Sequence, residues 1–357
     1  MPLIIEGGRV PTLWAEQKSN CSPLSASSGG RQRGALRLAF INNMPDGALD
    51  DTELQFFGLL DSASGTTPVY IKLYSLTGVP RGERGLQHLR NFYLDFDDLW
   101  KSRFDAAIIT GTEPRESNLR NEPYWKLLGE VFDWAARETV STIMSCLAAH
   151  ASVLHNDGIS RHRLSDKQCG VFESHRGTNH ALTDEISGIV RFPHSRWNEV
   201  RESDLVSAGY SIVTKSKEAG VDLFVRKNRS SLFVHFQGHP EYNADTLLKE
   251  YRRDIKRFLR GERETYPTMP RGYFDQSATR LLNELREGLM VEKAEWALDS
   301  VFESASAGLQ NTWKAPALGI YKNWLSYLES RKCEAQAAIA FSRIRPQPYR
   351  IVGNEIG

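Results

Sequence analysis

The sequence lacks several features that mark specialised classes of protein. Its 357 residues contain 45 Lys and Arg against 44 Asp and Glu, a formal net charge of +1. No excess of one charge therefore points to nucleic acid or an anionic membrane as a partner. No stretch approaches the ~18 apolar residues of a membrane span, and no basic segment followed by a long apolar run opens the chain. We therefore expect a cytoplasmic protein.

The chain is also poor in cysteine. Its four cysteines lie far apart and form no Cys-x-x-Cys pair; they are Cys21, Cys146, Cys169 and Cys333. This spacing argues against a disulfide framework and against a zinc site. Each cysteine must be judged singly, and a small buried hydrophobic residue is the usual role.

Local charge is concentrated in one segment, from Lys249 to Arg263. Arg and Lys alternate there with Asp254 and Glu262. A mixed run of this kind is typical of the solvated face of a helix.

Short apolar runs alternate with amphipathic stretches of helical length along most of the chain. The runs predict strands at Leu36–Ile41, Val69–Leu73, Ala106–Ile109, Val140–Met144 and Leu232–Phe236. The stretches predict helices, among them Asp51–Leu60 and Tyr124–Ala136. Alternation of this kind indicates an α/β fold with a doubly wound, mostly parallel, flavodoxin-like sheet. Ligands bind beyond the carboxyl ends of the strands in such sheets.

The composition divides the chain into three predicted parts. Residues 1–35 are a flexible lead-in, because residues 15–34 are rich in Ser, Gly, Asn and Gln. Residues 36–265 form the α/β domain. Residues 266–357 form a helical extension with helices at Ser277–Met290 and Val291–Ser304, and residues 335–357 form a loosely attached tail.

Cys146 is the first candidate for chemistry, because it stands between a predicted strand and the helix-forming run that begins at Leu147. At such a turn, backbone N–H groups and the helix dipole stabilise a thiolate and later an oxyanion. The local sequence alone leaves a buried core cysteine open as the alternative.

The second candidate is the turn Gly238-His239-Pro240-Glu241, which directly follows the run Leu232–Phe236. An imidazole at a strand end can act as a base, and an acid two residues later can orient it. The alternative is a surface turn with an ordinary ion pair. Both candidates fall at strand ends of one predicted sheet, which favours a shared site.

Many short motifs resemble the homoserine O-acyltransferase family, which opens methionine biosynthesis from succinyl- or acetyl-CoA. The resemblance covers roughly residues 36–275. Its motifs are Ile41-Asn42-Asn43-Met44-Pro45, Thr52-Glu53-Leu54-Gln55, Asn91-Phe92-Tyr93, Phe104-Asp105, Ile109-Thr110-Gly111, Tyr124-Trp125, Ser141-Thr142, Lys167, Gly170-Val171-Phe172-Glu173, Pro193-His194-Ser195-Arg196, Gly238 to Tyr242 and Glu250-Tyr251-Arg252-Arg253-Asp254.

The resemblance implies a class I glutamine-amidotransferase-like fold and a ping-pong acyl transfer. The family's thioester-forming cysteine falls on Cys146, its base on His239 and its acidic partner on Glu241. Its substrate-binding positions fall on Lys167, Ser195 and Arg253, and backbone amides at Leu147 and Gly111 would form the oxyanion hole. The implied substrates are an acyl-CoA and homoserine, with no metal and no bound cofactor, in a homodimer.

Two departures from the family pattern bear on the substrates. Arg115 stands where the family commonly has Gly or Glu, at a position that influences the acyl group. A cation there could pair with the distal carboxylate of a succinyl group, so we favour succinyl-CoA; an Arg115 turned to solvent is the alternative. His150 and the helical insertion at residues 276–312 also differ from the family pattern. Another acceptor, such as serine, is therefore an alternative to homoserine.

Two further functions compete with acyl transfer to homoserine. The same fold and Cys-His-Glu grouping serve glutamine amidotransferases and related amide hydrolases, although Ser145-Cys146-Leu147-Ala148 lacks their Gly-x-Cys-x-Gly turn. A non-catalytic regulatory protein is the third interpretation, and the retention of Cys146, His239 and Glu241 argues against it.

Overall fold

A computed structural model describes residues 3–7, 9–19, 34–186, 188–292 and 298–344. Its strands join one ten-stranded sheet. They are β1 (Leu3–Ile5), β2 (Leu36–Ile41), β3 (Val69–Tyr74), β4 (Ala106–Ile109), β5 (Ser141–Ser145), β6 (His162–Arg176), β7 (Val190–Glu199), β8 (Ser211–Ser216), β9 (Gly220–Asn228) and β10 (Ser231–Phe236).

The sheet has a parallel half and an antiparallel half. Its strand order is β1-β3-β2-β4-β5-β10-β9-β8-β6-β7. All pairs from β1 to β10 are parallel, and all pairs from β10 to β7 are antiparallel. The carboxyl ends of β2, β4, β5 and β10 therefore meet at one edge.

Helices cover both faces of the sheet. They are α1 (Thr12–Ser19), α2 (Leu49–Ala63), α3 (Glu83–Phe92), α4 (Phe96–Lys101), α5 (Trp125–Glu138), α6 (Leu147–Asp157), α7 (Glu202–Ser207), α8 (Thr246–Leu259), α9 (Gln276–Glu292), α10 (Leu298–Ser306) and α11 (Lys314–Ile344). Along β2, Leu38 and Phe40 enter one apolar layer while Ala39 and Ile41 enter the other. This burial on both faces produces the continuous apolar runs from which the strands were predicted.

The prediction of a doubly wound, mostly parallel α/β fold is confirmed, and each of the five predicted strands is present within one or two residues. The antiparallel half was not predicted. Strand β6 mixes exposed and buried residues without regular alternation, and β7 carries Pro193. Proline is tolerated there because β7 is the last strand of the sheet.

Two segments that were predicted to lie outside the core contain regular elements. Within the lead-in, Leu3–Ile5 pairs with β3, and the Trp14 ring on α1 packs edge-to-face on Phe57. Buried apolar side chains attach these residues to the sheet, and residues 20–33 lie outside the described residues. At the other end, residues 335–344 continue α11, and 345–357 lie outside the description.

The helical extension packs on the same apolar layer as the sheet. Leu282, Phe302 and Trp324 are buried together with Leu38 and Phe40 of β2. The Trp324 Nε1–H also donates to Ser141 Oγ at 2.9 Å. Of the predicted helices, Ser277–Met290 corresponds to α9. The predicted helix Val291–Ser304 starts in the last two residues of α9, passes through residues 293–297, which lie outside the described residues, and ends in α10.

Among the residues that the structure describes, every helix falls short of the length and apolar character that crossing a bilayer demands.

Trp324 tests how strongly the extension stabilises the domain. The side chain is fully buried, so we expect Trp324→Ala to lower the free energy of unfolding by about 3–5 kcal/mol. Trp324→Phe, which keeps an aromatic ring but replaces the indole with a smaller phenyl group and removes the N–H, should cost less, about 1–2 kcal/mol. Urea denaturation followed by circular dichroism measures both. Val206→Ala is the control, because Val206 is 55% exposed; an equal loss in all three variants would contradict the assignment.

Candidate active site

Cys146 occupies a strained turn between β5 and α6. Its backbone has φ 51° and ψ −108°, a conformation that L-residues rarely adopt. Such a conformation costs about 1–3 kcal/mol and persists where surrounding structure enforces it. The turn leaves Cys146 partly exposed at the amino end of α6.

The pairing of β5 with β10 sets this turn beside the turn that carries His239. Ser145 lies opposite Phe236 in the parallel register, and the Cys146 N–H donates to the Phe236 carbonyl at 2.8 Å. Both strands end at this pair. Their following residues therefore leave the sheet side by side.

His239 and Glu241, the predicted base and its acidic partner, form a buried ion pair. The His239 Nδ1–H donates to Glu241 Oε1 at 2.8 Å, and Ser145 Oγ donates to the same oxygen at 3.1 Å. The Tyr242 ring stacks on the imidazole with centroids 4.2 Å apart and planes at 20°. Because Nδ1 is hydrogen-bonded to Glu241 and Tyr242 covers one face of the ring, Nε2 is the nitrogen that can exchange a proton with the thiol.

The charges around His239 favour its protonated form. Burial alone would lower the pKa of His239, but the charges of Cys146 and Glu241, and hydrogen bonds to both, raise it well above its usual value. The folded protein thus favours the imidazolium. Its contribution to stability is fully present below the unfolded pKa of about 6.5 and is lost as pH rises through the higher folded pKa.

The turn of His239 is fixed from the antiparallel half of the sheet. The His239 N–H donates to the Pro193 carbonyl at 2.7 Å, and the Gly238 N–H donates to Asp222 Oδ1 at 3.0 Å. A Cβ on Gly238 would stand 2.5 Å from that Asp222 oxygen, so glycine is required. Burial raises the pKa of Asp222 to about 6, although the Gly238 hydrogen bond lowers it. β7 and β9 therefore position the base.

Gly111 and Leu147 lie against each other beside Cys146. A Cβ on Gly111 would be 2.9 Å from the Leu147 nitrogen, so only glycine lets the loop after β4 come this close to α6. Leu147 is the first residue of α6, and N–H groups in the first turn of a helix have no intrahelical partner. An oxyanion hole at these two amides stays a prediction, and this contact supports it.

Three of the four predicted substrate-binding side chains gather around two acids of α8. Lys167 Nζ lies 2.8 Å from Asp254 Oδ2 and 3.5 Å from Glu250 Oε2. Ser195 Oγ donates to Glu250 Oε2. Arg253 donates to Asp254 Oδ1 through Nε and Nη2, at 3.2 and 3.1 Å.

Glu250 connects this group to the base, and the sequence reasoning gave it no role. Its Oε1 accepts a hydrogen bond from the Tyr242 hydroxyl at 2.7 Å, and Tyr242 stacks on His239. Burial alone would raise the pKa of Glu250, but the charges of Lys167 and Arg253 lower it, so it is ionised. The signal was available, since Glu250 lies three residues before Arg253 and so shares its helix face.

Arg115 has no side-chain contact with the other predicted site residues among those described. Its side chain is exposed, and its backbone N–H donates to Glu122 Oε1 at 2.6 Å. Glu113 of the same loop pairs with Arg257 at 3.1 Å. A role for Arg115 in choosing the acyl group stays a prediction.

Two other arginines, Arg196 and Arg161, interact electrostatically with Cys146. Burial lowers the pKa of Arg196, and the charge of Cys146 is the largest influence against that shift. Burial likewise lowers the pKa of Arg161, with Cys146 among the charges that oppose it. Arg196 is buried and, within the described chain, has no carboxylate at ion-pair distance; its Nη1 donates to the Asn198 carbonyl at 2.8 Å.

His150 is packed away from the reacting groups. Its Nε2 contacts Gln237 Oε1 at 2.9 Å, and burial, with the charge of Arg196, lowers its pKa to about 3. It is therefore neutral, as expected for a histidine in the helix core.

Among the described residues, one group of side chains has the spacing of metal ligands. Asp50, Glu53 and His88 place their ligand atoms within 4.8 Å of one another. His88 already bridges the two acids at 3.1 and 2.7 Å, and Tyr93 donates to Glu53 at 2.6 Å. The group is thus a hydrogen-bonded network between α2 and α3 in which both acids already have protein partners.

A family model described as homoserine O-succinyltransferase matches residues 9–334. The chain belongs to the homoserine O-succinyltransferase family. The match begins and ends well beyond residues 36–275, to which the motifs had limited the resemblance, and it includes most of the helical extension. The family consists of O-acyltransferases.

Curated relatives cover nearly the whole chain. A homoserine O-succinyltransferase of Rhodopseudomonas palustris is 40% identical over 331 residues, which cover 90% of this chain and 96% of that protein. One of Methylorubrum extorquens is 41% identical over 298 residues, covering 83% of this chain and 88% of that protein. A solved glutamine amidotransferase of Thermotoga maritima aligns with a TM-score of 0.43 at 12% identity, over 84% of this chain and 99% of that one.

The Glu241 charge tests the base. We expect Glu241→Gln to lower the pKa of His239, because one of the negative charges that raise it is gone, and to reduce kcat/KM by about 10²- to 10⁴-fold. Titration of the His239 ring protons by NMR measures the pKa. Glu218→Gln is the matched control, since that side chain is 67% exposed. An unchanged His239 titration midpoint in Glu241→Gln would refute the electrostatic assignment.

Proposed function

We propose that this protein transfers a succinyl group from succinyl-CoA to the hydroxyl oxygen of homoserine, through a thioester on Cys146. The observation that carries the proposal is the strained turn of Cys146 beside the buried His239–Glu241 pair. The names of its relatives support the donor and the acceptor.

In the first half of the reaction the Cys146 thiolate attacks the thioester carbonyl carbon of the donor. The resulting oxyanion lies at the amides of Gly111 and Leu147. The carbon–sulfur bond to CoA then breaks, and the CoA sulfur takes a proton from the His239 imidazolium. The products of this half are free CoA and a succinyl thioester on Cys146.

In the second half His239 acts as a base. Its neutral Nε2 takes the hydroxyl proton of homoserine while the hydroxyl oxygen attacks the thioester carbonyl. The bond to Cys146 breaks, the sulfur leaves as a thiolate, and the imidazolium–thiolate pair is restored. Glu241 holds the ring in one tautomer throughout.

Positive charge near Cys146 suits a succinyl group better than an acetyl group. Arg196 and Arg161 both interact with the charge of Cys146. The free carboxylate of a succinyl thioester would meet these cations, whereas an acetyl group has no charge to offer them.

The charged groups of homoserine suit the side chains that gather around Glu250 and Asp254 of α8. Arg253 keeps N–H donors free beyond those given to Asp254, and its side chain is 45% exposed, so it can bind the carboxylate of an amino acid as a planar fork. Lys167 and Ser195 are hydrogen-bonded to Glu250 and complete this side of the proposed acceptor site.

Four further predictions belong to this proposal: the lack of a metal or cofactor and the homodimer follow from the family resemblance, and the location and the domain bounds follow from the sequence pattern. The reaction takes place in the cytoplasm, needs no metal or bound cofactor, and is carried out by a homodimer. The acyltransferase domain spans residues 36–265, followed by the helical extension.

Acylation of Cys146 is the direct test. Mixing the protein with succinyl-CoA in the absence of homoserine should add the mass of one succinyl group, mapped to the Cys146 peptide by mass spectrometry. Cys146→Ala should show no adduct and no transfer. Cys169→Ala is the matched control, because burial raises the pKa of that thiol to about 12 and leaves it unreactive.

Two outcomes would refute the proposal. One is acyl transfer that survives Cys146→Ala. The other is the release of ammonia from glutamine without acyl transfer, which would identify an amide hydrolase.

Arg253 separates the two halves of the reaction. We expect Arg253→Met to raise the KM for homoserine by about 10- to 100-fold, because a charge-assisted hydrogen bond to its carboxylate is lost. The rate of Cys146 acylation, followed by rapid-quench mass spectrometry, should change little. Slower acylation with an unchanged homoserine KM would assign Arg253 to the donor instead.

A further inference from the structure

The outer face of α8 forms a cationic groove of about 390 Å³. Six of its seven lining residues are cationic, in a chain that carries 45 basic and 44 acidic residues overall. We call this surface the α8 groove; it is lined by Lys249, Arg252, Arg253, Lys256, Arg257, Arg260 and Glu262. The sequence had predicted only a solvated helix face here.

The spacing of these cations disfavours a merely solvated face. Arg252, Lys256 and Arg260 follow one another at four-residue intervals, and so do Lys249, Arg253 and Arg257. Like charges at that spacing destabilise a helix. A concentrated positive surface of this kind is stabilised when a multivalent anion binds it.

The partners of the groove cations leave room for an anion. Arg257 pairs with Glu113, Arg252 and Lys256 pair with Asp299, and Lys249 pairs with Asp51 and Asp245; in each pair both side chains are more than a third exposed. Exposed ion pairs contribute only about 0–1 kcal/mol, so a phosphate can replace them at little cost. Within the described chain, the Arg260 guanidinium has no hydrogen-bond or ion-pair partner.

The α8 groove is continuous with the active site in two ways. Arg253 shares Asp254 with Lys167 on the inner side of α8. Arg257 pairs with Glu113, two residues beyond Gly111, whose backbone lies against Leu147 beside the nucleophile. At about 1.5 Å per residue, Arg257 and Arg260 lie about 10 and 15 Å along α8 from Glu250.

We propose that the α8 groove binds the phosphate groups at the nucleotide end of the acyl-CoA donor. This inference rests on the proposed function. CoA carries its phosphates at one end and its thioester at the other, joined by an extended arm, so a donor with its thioester at Cys146 needs an anion site some distance away. Arginine side chains bind phosphate as bidentate forks.

The test compares two donors that share one thioester. Succinyl-CoA carries the phosphates, whereas succinyl-N-acetylcysteamine has the same reacting group and none. We expect Lys256→Glu/Arg260→Glu, in the full chain, to raise the KM for succinyl-CoA by about tenfold or more, since each lost charge-assisted contact is worth about 1.5 kcal/mol or more. The kcat/KM for the truncated donor and the KM for homoserine should not change.

The matched control reverses two charges at the other end of the sheet. Arg103→Glu/Arg137→Glu alters a second cationic pocket of about 410 Å³, next to the amino ends of β4 and β5, and should leave both donors unaffected. Lys256→Ala/Arg260→Ala is the milder pair should the reversal impair folding. Raised salt should weaken succinyl-CoA binding in the unmodified protein more than in the groove variants.

Each outcome decides a separate point. Unchanged kinetics with succinyl-CoA in both groove variants would overturn the groove proposal. An equal loss with the two donors would also overturn it, because the effect would then lie at the reacting groups. If the unmodified protein transfers succinyl from neither donor, the proposed function itself fails, whatever the groove variants do.

Discussion

The parallel register between β5 and β10 is the constraint on which the site depends. It brings together residues almost a hundred positions apart, so that Ser145 reaches Glu241 and the Cys146 amide reaches Phe236. A shift of one residue would turn every side chain of a strand to the opposite face. The strained backbone of Cys146 is tolerable because a buried strand precedes it and a helix follows it. The chemistry is thus located by the pairing of two central strands, with the flanking loops completing it.

The two faces of helix α8, one toward the sheet and one toward solvent, carry different side chains. Toward the sheet, Glu250 and Asp254 hold Lys167, Ser195 and Tyr242 in place through hydrogen bonds. Toward solvent, the same helix carries the cations of the α8 groove. The acids inside compensate part of the charge outside, which lets one helix hold so many cations. If the groove binds the donor, one rigid element sets the distance between the two substrates.

The sequence predicted those parts of the molecule that follow from local pattern. Continuous apolar runs predicted the parallel strands, and their ends placed Cys146 and His239 at one edge. The antiparallel half was missed because β6 has no regular alternation and β7 contains proline. Lys167, Ser195 and Arg253 were available only through family resemblance. Asp222 and Arg196 act through contacts across the sheet, and no local pattern marks a residue whose partners lie on other strands.

The carbonyl of Tyr242 accepts hydrogen bonds from Trp313 Nε1 at 2.7 Å and from Asn311 Nδ2 at 3.3 Å. Tyr242 covers the imidazole of the base, so the backbone that positions the catalytic ring is fastened by residues just before the last helix. During synthesis the sheet and the nucleophile turn emerge from the ribosome well before Trp313 does. A nascent chain would therefore have Cys146 in place while the imidazole of His239 still lacked this support, which it gains only once Trp313 has emerged.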